Sequence, residues 1–453
     1  MSEALRFDVL VAGAGASGMA AAIAAARQGA RVALIEQSAT PGGANTQALV
    51  GPLMGFHSGK RQVIGGIAQE IVDRLILRGS SLGHIPDPLG VASSITPIEP
   101  EILRQLYFEM LAECPGITLF LQTLLCGANV ENGQIQSVQT ASKAGLSALS
   151  AKCYIDASGD ADLSQFAGVP CQVGRARDGL SQPMTLVIKL GGVDFGRVKA
   201  KMRLRPDQFV LAKGALKQDY VAVSGYFDEV RRAREAGEIT FPRDRVLLFQ
   251  GVRPDEAVVN MSRVIEKSAL SPAQMTQAQA EGQAQAQQIL SFLRRRIDGF
   301  QNAFLIQTGQ TIGVRESRHI LGDYTLTQKD VLHGACFDDA VCMCAFPIDI
   351  HDPRGASLAC DASSRPCLYD LPYRVMLPAG LKNLLVTGRA ISAEHEAAAS
   401  ARITPTAMAL GEAAGIAAAL SQGDTRSVDV SLLQKLITAA HGLPGQRSLR
   451  ECK

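Results

Sequence analysis

An α/β fold is predicted by three features of this 453-residue sequence. Residues 7–36 read as strand, glycine-rich turn, helix and second strand. Two later stretches, ending near Ala157 and Thr387, again run an apolar strand towards a glycine. The 43 glycines exceed the ~7% usual in globular chains, which calls for many close turns. Hydrophobic residues make up 47% and charged residues 19%, so a disordered or fibrous chain is excluded. Lys plus Arg (45) nearly balance Asp plus Glu (43) and Trp is absent, so neither a global field nor a supply of rings points to nucleic acid as a partner. The ten cysteines form no CxxC pair and are thinly spread, which fits reduced thiols in a cytoplasmic protein.

Residues 9–26 are apolar or small throughout, as in a signal peptide or a membrane span. Glu3, Arg6 and Asp8 precede them, however, glycines fall at 13, 15 and 18, and Arg27 follows. A strand over 7–12, the GxGxxG turn Gly13-Ala14-Gly15-Ala16-Ser17-Gly18, a helix over 19–28 stopped by Gly29, and a strand over 31–35 account better for them. The first glycine permits the tight turn, the second lets backbone approach a pyrophosphate, and the third lets helix pack on strand. The helix N-terminus offers N–H groups to the phosphates, and Glu36, at the end of the second strand, can accept hydrogen bonds from a ribose. These features predict a dinucleotide site. A second glycine pair, in Thr40-Pro41-Gly42-Gly43-Ala44-Asn45-Thr46, permits another close backbone approach and favours the longer FAD over NAD.

Residues 151–157 form a predicted strand entering Ser158-Gly159-Asp160, and 384–387 one entering Gly388-Arg389. The segments YIDASGDADLSQFAGVP (154–170), IGVRESRHILGDYTLTQKDV (312–331), FPIDIHDP (346–353) and NLLVTGRAISAEHEAAASARITPTAMALGEAAGIAAAL (383–420) together resemble the FAD-dependent oxidoreductase family related to the fumarate reductase and succinate dehydrogenase flavoproteins. The resemblance runs from about residue 6 to about 420. It implies a Rossmann-like FAD-binding domain of the glutathione-reductase/p-hydroxybenzoate-hydroxylase type, assembled from 1–170 and 311–453, with an α+β substrate or cap domain inserted at 171–310. The FAD contacts it implies are Gly13 to Gly18, Glu36 and Gln37, Gly42, Gly43, Ala44, Asn45 and Thr46, Leu125, Ala157 to Asp160, Gly388, Arg389, Pro405 and Thr406. FAD is expected to be non-covalent, because the surroundings of His57 (LMGFHSGK) do not match a histidyl attachment motif.

Within the insertion, residues 181–195 read as strand and 246–259 as short β-runs. Residues 272–296 read as a surface helix capped by Ser271, with Pro272 its first residue and Arg294-Arg295-Arg296 a solvated end. Near the C-terminus, Thr404 is the expected N-cap and Pro405 the first residue of a buried helix reaching Leu420. By resemblance its N-terminus faces the pyrimidine edge of the flavin, where a partial positive charge stabilises the reduced anion. Gly411 and Gly415 are expected to let it pack closely on the Rossmann sheet.

Flavin chemistry needs a group to hold the substrate and usually one to carry a proton. The candidates are His351, between Asp349 and Asp352 after a strand begun by Pro347, and His395, between Glu394 and Glu396. Tyr373, Arg374 and Arg402 join them, and the two arginines are the preferred ligands for a substrate carboxylate because a guanidinium presents a bidentate fork. Arg315, Glu316 and Arg318 read as internal ion pairs at a hinge. The window 315–402 carries nine Lys plus Arg against eleven Asp plus Glu, so an anionic substrate depends on particular side chains rather than on a field. Cys336, Cys342, Cys344, Cys360 and Cys367 lie close together without zinc or iron–sulfur spacing, so no metal is expected. The leading expectation is an enzyme moving a hydride between flavin N5 and a small organic substrate, with carboxylates the first class to consider, and with an electron partner and oligomeric state left open. A flavin monooxygenase, or an FAD-containing subunit of an electron-transfer complex, are the alternatives; no second GxGxxG offers a built-in nicotinamide site.

Overall fold

The computed structural model describes residues 5–355 and 368–451. In chain order its framework is β1 (Leu5–Ala12), α1 (Ala16–Arg27), β2 (Val32–Ile35), β3 (Ile117–Phe120), β4 (Leu124–Glu131), β5 (Gln134–Ser142) and β6 (Gly145–Asp156). It continues through β7 (Ile188–Gly191), β8 (Ala222–Gly225), β9 (Val246–Gln250), β10 (Ala257–Val259), α2 (Pro272–Arg296), β11 (Phe304–Thr308), β12 (Leu384–Val386) and α3 (Thr404–Leu420). The first sheet has the order β3-β2-β1-β6-β5-β4, with β12 joining the far end of β6. Strands β3, β2, β1, β6 and β12 pair in parallel, and β5 and β4 continue antiparallel. Val9, Leu10 and Val11 of β1 are all buried, as expected of a parallel strand covered on both faces.

Helix α1 is almost all Ala, Gly, Ile and Met, and its small side chains let α3 approach very closely. A Cβ built on Gly411 lies 2.1 Å from the carbonyl oxygen of Ser17, and one on Gly415 lies 2.2 Å from that of Ala21. The two glycines therefore seat α3 on α1, not on the sheet itself. Thr404 is also displaced from its expected role: Ile403 is the N-cap, without a side-chain bond, and Pro405 is the second helical residue. Among the described residues no single helix is long and apolar enough to cross a membrane. The pair His395–Ala401 and Thr404–Leu420 passes that test together, but it is bent by 91° and largely buried.

The second sheet, of order β8-β9-β10-β7-β11, is antiparallel throughout. Its strands are short. The strand expected over 181–195 shrinks to β7, because Gly192 turns the chain and Asp194 caps a helix over Phe195–Leu204 by accepting from the Arg197 N–H. Helix α2 matches its predicted span, with the Ser271 hydroxyl accepting from the Gln274 N–H. Alternation along β9 gives this sheet two apolar faces: Val246 and Leu248 join the core under α2, whereas Leu247 and Phe249 face Leu89, Ile95 and Met54 from the N-terminal part of the chain. The short strand Cys171–Val173 pairs with Arg318–Ile320, so the core beneath α2 begins only at Met184 and closes at Ile312.

Lys189 of β7 ties the second sheet to the N-terminal part of the chain, its Nζ lying 2.7 Å from Glu99 and 2.8 Å from Glu256 in a nearly buried setting. Lys189→Met leaves two carboxylates facing each other without a cation. Unfolding free energy should fall by about 3 kcal/mol, read from urea melts; an unchanged midpoint would show the bridge to be idle.

Glu412 of α3 is buried, and its Oε2 accepts the Ile67 N–H at 3.0 Å. Burial pushes its carboxyl up from 4.5 to about 7. The folded chain thus keeps a proton that the unfolded chain releases, so stability falls as pH rises through this window and levels off above it. Glu412→Gln, which retains the acceptor, should flatten that slope and stabilise the protein at pH 8 by on the order of 2–3 kcal/mol relative to the parent chain. Parallel slopes between pH 5 and 8 for both proteins would contradict this.

Candidate active site

The parallel strands end together: Ala12 lies beside Ile35 on one side and Asp156 on the other, and Asp156 lies beside Val386. Everything that follows these strands therefore gathers at one edge, where open α/β sheets bind ligands. Gly13 has φ +99°, and a Cβ on it would lie 2.5 Å from the Ala157 carbonyl oxygen; one on Gly18 would lie closer still to that of Gly13. Gly15 caps α1 with extended backbone, no side chain caps that helix, and nothing lies within 4 Å of where its Cβ would sit. The helix N-terminus is thus open towards this space. Beside it the Gly42 N–H donates to Ala14 at 2.7 Å, and a Cβ on Gly43 would be 3.0 Å from the Gly15 Cα.

Glu36 is buried. Its Oε2 accepts the Ala14 N–H at 2.8 Å, and its Oε1 accepts from the Ser38 N–H and hydroxyl at 2.8 and 2.6 Å. Gln37 next to it is exposed, and Leu125 packs on the cluster formed by Leu10, Ile35 and Val386. Ser17 and Thr387 hydroxyls lie 2.8 Å apart, and Arg389 donates to Asp160 at 2.5 Å and to the Val314 carbonyl at 3.0 Å. At the α3 end the Asn45 Nδ2 donates to the Val50 carbonyl and to the Thr404 hydroxyl. The Asn45 Oδ1 and Thr406 Oγ1 atoms are buried without a hydrogen-bond partner, and α3 has no side-chain cap. Orphaned polar atoms beside an open helix end suit a polar ligand.

A cavity of ≈ 290 Å³ adjoins this edge, between the two sheets. Ala44, Pro52, Ile403 and Thr404 line it on one side, and Leu247, Phe249 and Asn260 on the other. Arg243, Arg315, Arg389 and Arg402 also reach it. Arg243, 5% exposed, has one hydrogen bond, from Nη2 to the Asn260 carbonyl at 3.3 Å, and its Nε has no partner. Arg315 donates to the Pro183 carbonyl at 2.5 Å and the Thr185 hydroxyl at 2.7 Å, both neutral. Arg402 lies 3.6 Å from Asp349 Oδ2, and its Nε is also unpartnered. Burial, then the neighbouring guanidinium groups, push Arg315 down to about 9 and Arg243 to about 10. Asp349 is held well below the usual carboxylate range: burial opposes this, but His351, Arg402 and Arg315 outweigh it.

His351 and Arg402 are the two expected catalytic residues that line this cavity. His351 is not on a strand begun by Pro347; residues 347–350 are extended without strand pairing. Its Nδ1 lies 3.3 Å from Arg263 Nη1 and its Nε2 3.4 Å from Asp349. Because an arginine can only donate, the Nδ1 accepts and the Nε2 carries the proton. Burial and then Arg315 push the imidazole down to about 3, so it is a neutral link and not the proton carrier expected of it.

The other three expected residues lie elsewhere. Arg374 is exposed, bonded to Asp339 at 2.9 and 3.2 Å and stacked over Tyr324, so its expected carboxylate partner is internal. Tyr373 is buried, its hydroxyl donating to the Thr425 carbonyl at 2.8 Å. His395 is buried against Glu316 at 2.7 Å, outside the cavity lining. Glu316 with His395 and Arg318 with Asp162 make the internal pairs expected of them, but Arg315 faces the cavity instead. His57 pairs with Ser94 at 2.9 Å and does not line the cavity. Among the described residues no group of His, Cys, Asp and Glu could hold a metal; Cys342 and Cys344 are buried on one strand, and Cys360 and Cys367 lie outside the described residues.

A family model described as FAD dependent oxidoreductase matches residues 8–437. The chain belongs to this family. It is an enzyme with FAD as its cofactor. No curated protein matches the chain. Among solved structures it resembles a geranylgeranyl bacteriochlorophyll reductase-like protein from Thermoplasma acidophilum, at 14% identity over 99% of this chain and 86% of that one, TM-score 0.47. It also resembles the L-proline dehydrogenase from P. horikoshii, at 10% identity over 97% of this chain and 100% of that one, TM-score 0.47. A third likeness is to the p-nitrophenol 4-monooxygenase PnpA from Pseudomonas putida DLL-E4, at 12% identity over 71% of this chain and 70% of that one, TM-score 0.41. Likenesses this distant say nothing about the substrate of this FAD-dependent oxidoreductase. The glycine-lined edge fits the cofactor on its own chemistry: open helix ends suit phosphate and a reduced ring, and the two orphaned polar atoms suit a heteroatom edge.

Proposed function

We propose that this FAD-dependent oxidoreductase oxidises or reduces a small carboxylate-bearing substrate by hydride transfer. One observation carries the reading: three guanidinium groups, Arg243, Arg315 and Arg402, reach a cavity at the glycine-lined edge, and of the two carboxylates among its described lining residues Asp244 is paired with Arg245, which leaves Asp349 to face them. A substrate carboxylate supplies the missing negative charge and a two-oxygen acceptor for a guanidinium fork.

Residues 1–170 and 311–453 form the FAD-binding domain in this reading, and 171–310 the cap. Gly13, Gly15 and the α1 N-terminus hold the pyrophosphate, Glu36 the ribose, and Asn45, Thr406 and the α3 N-terminus the ring. FAD, when bound, supplies the hydride acceptor or donor. The chain does the rest. Arg402 and Arg315 orient the acid, Asp349 keeps Arg402 in place, and His351 fixes Asp349 by donating from Nε2. Arg243 bounds the site from the cap side, and an acid seated there displaces water, which strengthens each charge interaction.

Dye-linked turnover tests this. Small carboxylic acids, but not the matching amides or alcohols, should reduce an artificial acceptor through the enzyme, or be reduced by it from a reduced dye. Oxygen-dependent NAD(P)H consumption with no requirement for an acid would overturn the reading in favour of a monooxygenase.

A further inference from the structure

Besides its arginines the cavity has an apolar wall, and this wall restricts what an acid can look like. Met54, Leu89, Val91, Val187, Leu247 and Phe249 line it. This wall is not incidental. Leu247 and Phe249 project from the face of β9 opposite to Val246 and Leu248, and with Leu89, Ile95 and Ala222 they form an apolar cluster spanning both parts of the chain. Leu89, Ile95 and Met54 cover part of this face, and the cavity meets the rest at Leu247 and Phe249.

Charge decides against a second anionic group on this wall. Of the other arginines among the described lining residues, Arg245 is paired with Asp244 at 2.8 and 2.9 Å and stacks over Phe227, and Arg389 is paired with Asp160. Arg243, 5% exposed, makes one long hydrogen bond, has an unpartnered Nε and serves the first carboxylate. A dicarboxylate that satisfies the arginines would place its second charge against Leu247 and Phe249, where desolvation is uncompensated.

We propose that the substrate is an apolar-bodied monocarboxylate, its one carboxylate held among Arg243, Arg315 and Arg402 and its aliphatic or aromatic body lodged on Leu247 and Phe249. This rests on the acid-binding reading above and narrows it. Leu247 and Phe249 are then specificity residues, choosing among acids without touching the charge.

The test is binding to the FAD-loaded protein, read from the flavin difference spectrum, with phenylacetate, phenylacetamide and succinate as probes. Phenylacetate is expected to bind at least about tenfold more tightly than either of the others. Leu247→Asn, at a partly buried position, should weaken phenylacetate about tenfold and leave succinate within about twofold; equal flavin content in the two proteins checks that the variant is folded. Succinate binding more tightly than phenylacetate, or phenylacetate binding indifferent to Leu247→Asn, overturns the proposal while the acid-binding reading stands. Amide binding as well as acid, or no binding of either acid, overturns both.

Discussion

Gly411→Val should yield a chain that no longer holds FAD. The first side-chain carbon at this position would lie 2.1 Å from the Ser17 carbonyl oxygen and 2.8 Å from its carbon, and both belong to helix backbone that cannot rotate away. Relief requires α1 and α3 to separate. Ser17 lies in the glycine turn, and α3 starts at Thr404, so the separation moves both open helix ends away from the edge they share. Forced overpacking of this kind costs about 3 kcal/mol or more. The measurement is flavin absorbance per chain together with the melting temperature. A colourless or grossly destabilised protein is expected, and a valine variant with full flavin content and the parent melting point would show that the close helix contact does not set the cofactor site.

Arg402→Ala should weaken binding of the substrate acid about 100-fold, whereas Arg374→Ala should leave it unchanged. The first removes a partly buried guanidinium at the cavity, and losing one partner of a desolvated ion pair costs about 2–5 kcal/mol. The second removes an exposed arginine already committed to Asp339, worth about 1 kcal/mol at most, and of stability only. Arg402→Lys should recover part of the loss, because the charge returns without the fork. Equal effects at 402 and 374 would place the anion outside this cavity.

The contrast between these two arginines marks how far the sequence could be read. The GxGxxG turn, Glu36 and the later strand–glycine segments were legible because each is local: a turn needing φ +99° at Gly13 accepts glycine whatever surrounds it, and the helix after it follows within the same few residues. Arg374 and Arg402 look alike in one dimension. What separates them is Asp339, 35 positions away and bonded to Arg374, and Asp349, 53 positions away and facing Arg402. The same distance effect moved His395 to Glu316 and turned His351 into a neutral link.

Arg243 was illegible for another reason. It lies three positions before a strand, VLLFQ, whose two faces are both apolar. Two apolar faces imply two covered sides, and that was the available signal that this strand roofs something. Identifying the covered object as a cavity beside the glycine-lined edge required knowing how the second sheet packs on the N-terminal part of the chain, and that depends on contacts such as Lys189 with Glu99. The packing of Gly411 and Gly415 was half legible: their spacing demanded a close partner, while the partner itself, α1 instead of the sheet, came from the arrangement of layers.

Anaerobic single-turnover spectroscopy of the FAD-loaded enzyme tests the central claim most directly, since it needs no electron partner. The oxidised protein is mixed with small carboxylic acids and, separately, with their amides; the chemically reduced protein is mixed with the corresponding unsaturated or oxo acids. At least one acid should bleach or restore the flavin spectrum within the time of mixing and turnover, the matching amide should not, and Arg402→Ala should require about 100-fold more acid for the same rate. A flavin that responds to no acid in either direction, or to amides as readily as to acids, would contradict the account.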